Sequence, residues 1–283
     1  MSRAIEFAAL ALAVALATAP ARTARAFDDS KYPDLHGQWT RAGGGEPRFD
    51  PAKPPGRGQE PPLTPEYQAI FEANLRDREA GVPATWPGPA CLPPGMPAQM
   101  TAYRPLEFIV LPAITYIRID YIRDTRRRIH TDGGGWPAEV DDGFDGYSIG
   151  QWRDEDHDGR YDVLAIETRH FKGPRLFDLS GIPLHEDNET VISERIFLDK
   201  ADNDLLHDEM TVTDHALTRP WTVVKDYRRS ADPQPQWPEY ICPWESTTIR
   251  IGGQIYVTDK DGFLHPSRKG QSPPSLKYFS PQR

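Results

Sequence analysis

From Leu106 onward the chain falls into short stretches in which β-branched and aromatic residues alternate with polar ones, each closed by Asp, Gly or Pro. A period of two belongs to an extended strand with one buried face. The pattern predicts strands over Leu106–Leu111, Ile114–Arg123, Arg126–Asp132, Tyr147–Trp152, Tyr161–His170, Glu189–Asp199, Asp204–Thr213, Trp221–Arg228, Thr247–Ile251 and Gln254–Thr258. Gly252-Gly253 signals a hairpin between the last two. No helical period intervenes, which argues against parallel βαβ units. The expected fold is all-β: an up-and-down antiparallel barrel or strongly curved sheet, lipocalin-like in outline, with a two-sheet sandwich as the alternative.

One helical signal precedes the strands. Thr64 can cap, Pro65 suits the first turn, Glu66 complements the dipole, and Tyr67, Ile70, Phe71 and Leu75 share a face that Gly81 can end. On either side, Phe27–Pro62 and residues 82–105 are rich in Gly and Pro, and are expected to be an extended arm and a loop wrapped over a surface. The very start has another texture. Arg3 is followed by an apolar run from Ala8 to Ala17 and then by Ala24-Arg25-Ala26, the small-x-small pattern of a secretory signal. That run is shorter than the roughly 18 residues a spanning helix needs. The expected division is a signal peptide over 1–26, an arm plus one helix over 27–105, a barrel over 106–265 and a polar tail over 266–283. The expected location is periplasmic or secreted, with no membrane insertion after cleavage.

Charge and cysteines sharpen this picture. A net charge of -9 argues against a nucleic-acid partner, which needs a basic stripe. Two cysteines, Cys91 and Cys242, would form a disulfide in an oxidising compartment, worth ~4–5 kcal/mol by chain entropy.

Three patterns could carry chemistry. Asp154, Asp156, Asp158 and Asp162 stand at positions 1, 3, 5 and 9 of a loop with Gly159 at position 6, the ligand spacing of a calcium loop. Position 12 is Ala165 rather than Glu, so the same residues also fit an acidic hairpin turn. Calcium is the one cofactor the sequence suggests. Second, Glu194 shares a face with Ile192 and Ile196, which predicts a buried carboxylate in need of a partner. With His130, Asp132, His185 and Arg195 it could form an acid–base set in a barrel mouth, although charged residues at strand ends usually face water. Third, Gly146-Tyr147-Ser148-Ile149-Gly150 matches the nucleophile-elbow string G-x-S-x-G, but a strand follows where the elbow requires a helix.

Several strings, taken in order, are similar to those of a known family. They are Leu63-Thr64-Pro65-Glu66-Tyr67-Gln68-Ala69, Cys91-x-Pro-x-Gly95-Met96-Pro97 and Arg128-Ile129-x-Thr131-Asp132-Gly133. Gly146-x-Ser148-Ile149-Gly150-x-Trp152, Glu194-Arg195-Ile196, Pro220-Trp221-Thr222 and Glu239-Tyr240-x-Cys242 follow. As a set, over residues 63–245, they resemble a large family of secreted, mostly uncharacterised proteins of proteobacteria and acidobacteria that degrade complex organic compounds. The resemblance implies location more than activity. Where that family carries histidines, this chain has Trp136, Tyr147 and, within Cys242-Pro243-Trp244-Glu245, Trp244; His185 keeps its place. The acidic loop is an extension of a hairpin that is short in the family. The exchange of histidine for aromatic residues favours ligand binding, with Trp136, Tyr147, Arg195 and Trp244 lining a site for a hydrophobic or aromatic molecule. A lyase, isomerase or hydrolase using His130, Asp132, His185 and Glu194 is the alternative, and a calcium-stabilised structural or interaction protein is a third. The sequence leaves the oligomeric state open.

Overall fold

The computed structural model describes residues 27–80, 92–102, 104–121, 123–237, 248–251, 254–258 and 263–274. The signal segment, the Cys91–Cys242 pair and Trp244 lie outside these residues.

The alternating stretches close into a barrel of nine strands in sequence order. They are β1 (Gln38–Arg41), β2 (Leu106–Val110), β3 (Ile114–Tyr121), β4 (Arg123–His130), β5 (Tyr147–Arg153), β6 (Val163–Arg169), β7 (Val191–Leu198), β8 (Leu205–Thr213) and β9 (Trp221–Arg229). Thr248–Ile251 (β10), Gln254–Thr258 (β11) and Leu264–Pro266 (β12) form a separate antiparallel sheet instead of joining the barrel. The arm, read from sequence as irregular, supplies the closing strand β1, which pairs antiparallel with both β9 and β2. The helix α1 (Pro65–Glu79) forms where the pattern placed it, with Thr64 Oγ1 accepting the Tyr67 N–H. Among the described residues no helix is long and apolar enough to cross a membrane.

Parity governs this architecture. Around a closed ring of strands the number of antiparallel contacts must be even, so nine strands cannot all be antiparallel to their neighbours. The parallel contact falls between β4 and β5. It holds only two residue pairs, Ile129 with Ser148 and His130 with Ile149, against eight pairs between β8 and β9. Only the four-residue β1 makes an equally narrow contact, with β2.

The barrel centre is filled from within and by the arms. Phe49 packs on Phe177 (4.9 Å) and Trp221 (4.6 Å), and its carbonyl accepts the Lys225 Nζ donor at 2.7 Å. Tyr227 donates its hydroxyl to the Met100 carbonyl at 2.5 Å, and Arg175 Nη1 donates to that of Met96 at 3.0 Å. Phe49, Met96 and Met100 are fully buried. Phe49 of the first Gly/Pro-rich segment and Met96 and Met100 of the second therefore pack into the barrel, in contrast to the surface wrap expected of residues 82–105, and they take up space that a ligand enclosed at the centre would need.

Side chains also tie the narrow seam together. Arg127 on β4 reaches past β5 and β6 to Glu194 on β7, with Nη1–Oε1 at 2.9 Å and Nη2–Oε2 at 2.5 Å. Both side chains are fully buried. The buried Glu194 expected from period two thus has its partner. Trp152 Nε1 on β5 donates to Thr115 Oγ1 on β3 at 3.1 Å, across the same gap.

Removing one member of a buried pair strands the other charge, at a cost of ~3–5 kcal/mol, whereas an apolar replacement of both can be neutral. Arg127→Met should therefore destabilise by that amount in equilibrium urea unfolding, and Arg127→Met/Glu194→Leu should recover most of the loss. Equal destabilisation by the single and double variants would contradict this role.

Candidate functional site

Beyond the two shared pairs, β4 and β5 part, and a cleft opens on each side of the seam. Along β4 lies a cleft of about 370 Å³ bounded by Arg126, Arg127, Arg128, the 143–146 turn, Ser148 and Lys172. Towards the end of β5 lies a groove of about 810 Å³.

Two glycines allow the seam to form. A Cβ on Gly150 would stand 2.6 Å from Ile129 Cγ2, so its absence lets β5 close on β4. Gly146 has φ +70°, and a Cβ there would meet the Phe171 ring at 2.5 Å and the Arg169 carbonyl at 2.7 Å. These are the two glycines of the G-x-S-x-G string. Its serine is buried, with Ser148 Oγ and Thr168 Oγ1 sharing a hydrogen bond at 2.8 Å and no histidine hydrogen-bonded to it among the described residues. The string is explained by packing.

The cleft along β4 is basic. Arg126, Arg128 and Lys172 are exposed around it. Deeper in, Asp145 Oδ1 and Arg127 Nε are buried without hydrogen-bond partners. Burial pushes the Asp145 carboxyl up to about 6, opposed by the nearby Arg127. Beside the seam, His130 stacks on Tyr147 (4.6 Å, 11°), Trp136 packs near Tyr147 (6.0 Å) and His170 (5.8 Å), and Arg169 lies over Trp136 (5.2 Å). Burial, and then Arg128, hold the His130 imidazole below its usual range. Three of the aromatic and histidine positions singled out in the sequence, His130, Trp136 and Tyr147, therefore meet in one cluster.

The larger groove is floored by outward residues of three paired strands: Ile149 and Gln151 on β5, Ala165 and Glu167 on β6, Ser193 and Arg195 on β7. Tyr32 forms an aromatic wall with Trp152 (5.3 Å, edge-on) and Tyr161 (5.1 Å). The opposite rim is Thr131–Gly134, where Asp132 Oδ1 accepts the Gly134 N–H at 3.0 Å. Arg195 Nη2 donates to Glu155 Oε2 at 2.5 Å, while its Nε is buried without a partner.

The four acid–base candidates do not assemble. His130 stands at the seam, Asp132 at the groove rim and Glu194 inside the barrel. His185 packs on Tyr67 (5.1 Å) beside Asp187 and His215. Among the described residues no hydrogen bond or ion pair joins any two of the four. In the acidic loop, Asp154, Asp156 and Asp158 bring carboxylate oxygens within 4.8 Å of one another. Asp154 also accepts the N–H groups of Asp158 and Gly159, and Asp162 accepts that of Glu155 at 2.8 Å.

Several buried charged residues carry no mark in the sequence analysis, among them Arg127, Asp208 and Lys225 on the barrel strands. The rule that found Glu194 applies to them too, since Asp208 lies between the inward Leu206 and Met210, and Lys225 between Val223 and Tyr227. Asp208 and Lys225 are cross-strand partners. Neither Asp208 oxygen has a hydrogen bond. Burial, reinforced by Glu194, pushes the Asp208 carboxyl up to about 8, and burial brings the Lys225 amine down to about 8.

No family model, no curated protein and no solved structure matches this chain.

Asp208 makes stability depend on pH. Its folded value lies above the ordinary ~3.9, so the folded chain holds a proton that the unfolded chain releases between about pH 4 and 8. Its contribution is fully present below that window and is lost as pH rises through it. The stability of Asp208→Asn relative to wild type should therefore grow from pH 5 to pH 8, by up to ~1.4 kcal/mol per pH unit, the limit for one proton. A difference that stays flat across the window would refute the buried protonated carboxyl.

Proposed function

We propose that the protein is an exported binder of small organic molecules and that its ligand lies in the groove beside the β4–β5 seam. The observation that carries this reading is the Tyr32–Trp152–Tyr161 wall standing in one groove with the half-exposed Arg195 guanidinium. A volume of about 810 Å³ is in the range of small-molecule sites, which combine apolar walls with a few polar groups that orient the ligand. The chemistry fits an aromatic or hydrophobic body bearing a carboxylate. Export rests on the N-terminal sequence and on the family resemblance. Binding is preferred to catalysis because, among the described residues, no hydrogen bond or ion pair joins any two of His130, Asp132, His185 and Glu194, even though Asp132 and Glu194 border one groove.

A panel of aromatic carboxylates, read by native mass spectrometry and tryptophan fluorescence, tests the proposal. Arg195→Ala should weaken binding ~10–100-fold, the loss of one charge-assisted hydrogen bond, with the fold intact. Undiminished binding in that variant, or no ligand from the panel, would count against it.

A second element concerns the acidic loop, whose converging Asp154, Asp156 and Asp158 oxygens suit a structural calcium ion of the weak extracellular kind, ~10⁻⁴–10⁻³ M. Millimolar calcium should raise the melting temperature, and Asp156→Asn should abolish the rise. An unchanged melting temperature with and without chelator would remove calcium from the account.

A further inference from the structure

Away from the seam, two connections at one end of the barrel meet. Residues 170–190 join β6 to β7, and residues 214–220 join β8 to β9. The first brings His185 and Asp187, the second His215. Asp187 Oδ2 lies 2.9 Å from His185 Nδ1 and 2.6 Å from His215 Nδ1, and donor atoms of all three residues fall within 4.8 Å of one another. The two imidazole rings stand edge to face, 5.6 Å apart.

This arrangement is held from behind. Asp214 is buried, and its Oδ1 accepts the N–H of His185 and that of Ala216, both at 2.9 Å. One carboxylate thus ties together the backbones beside both histidines. Its Oδ2 accepts the Thr190 hydroxyl at 2.6 Å, and Arg175 Nη2 donates to Thr190 Oγ1 at 2.8 Å. From helix α1, Tyr67 packs its ring on His185 and accepts the Glu186 N–H at 3.3 Å. A cleft of about 310 Å³ borders His185, with Arg175 and Asn188 on its wall.

We infer that His185, Asp187 and His215 form a binding site for a first-row transition-metal dication, with an open coordination position. Two imidazoles and a carboxylate are the donor set of zinc-type and 2-His-1-carboxylate sites, whereas calcium and magnesium take oxygen donors. Four-coordinate zinc with bonds of ~2.1 Å separates its ligands by ~3.4 Å, so the two Nδ1–Oδ2 distances need to widen by only ~0.5–0.8 Å. Three protein donors leave the fourth position to solvent or to a molecule entering beside His185. The inference is independent of the ligand groove and of the acidic loop.

Zinc titration of the metal-free, tag-free chain tests it, by calorimetry and native mass spectrometry, with Co²⁺ as a spectroscopic substitute. One Zn²⁺ per chain is expected, together with the visible bands of four-coordinate cobalt. His215→Ala and Asp187→Asn should each weaken zinc binding at least ~100-fold, the upper end of what is lost when a mere outer-shell partner is removed. The His215 side chain is 63% exposed, so its replacement leaves the core untouched, and circular dichroism confirms folding. Asp156→Asn in the acidic loop should leave zinc uptake unchanged. Absence of zinc uptake, uptake that survives both His215→Ala and Asp187→Asn, or uptake lost with Asp156→Asn would overturn the inference.

Discussion

Closing nine strands into a ring demands a parallel contact, and this constraint organises the rest of the molecule. Antiparallel neighbours can be joined by tight turns, but parallel ones need a longer connection. Residues 131–146 supply it, and they carry Trp136, Asp145 and the Gly143–Gly146 turn to the seam. Because the parallel contact is only two pairs long, the edges of β4 and β5 are left apart on either side. The two clefts are the geometric consequence. Among the described residues they are two places where the barrel wall opens beside an interior packed with buried side chains.

A thin backbone seam has to be held by side chains. The Arg127 fork crosses it to Glu194, and Trp152 crosses it to Thr115. Burying such a charge pair costs desolvation, so its value lies in fixing one arrangement as much as in net stability. The same interior holds Asp208 and Lys225, which burial moves towards their neutral forms. The arms complete the interior, with Phe49, Met96 and Met100 seated against β9 and its neighbours.

Much of this was legible in the sequence because it is local. Period-two alternation located β2 to β9, the Thr64-Pro65-Glu66 start located α1, and Glu194 on an apolar face announced a buried partner. What was not legible is long-range. Gln38–Arg41 is too short to show a period, so the closing strand is hidden in the arm, and with it the odd strand count that forces a parallel contact. Phe49 and Met100 look like loop residues until the barrel exists to receive them. Of the candidate site residues, His130, Trp136 and Tyr147 come together, and Asp132 and Arg195 border one groove. His185 belongs to a different end of the structure, and its companions Asp187 and His215 come from connections that no strand pattern could bring together.

On the proposed function, the β4–β5 seam is an open line of the barrel and the place where a ligand acts. Residue-resolved hydrogen exchange tests this most directly. The account predicts that the β5 amides of Gly150–Arg153 and the β4 amides of Thr125–Arg128 that face the seam exchange faster than those shared between β7, β8 and β9. It also predicts that bound ligand raises protection at Thr131–Gly134 and Ile149–Arg153 above all other segments. Protection at the seam equal to that of β7–β9, with ligand-induced changes confined to other parts of the barrel, would contradict it.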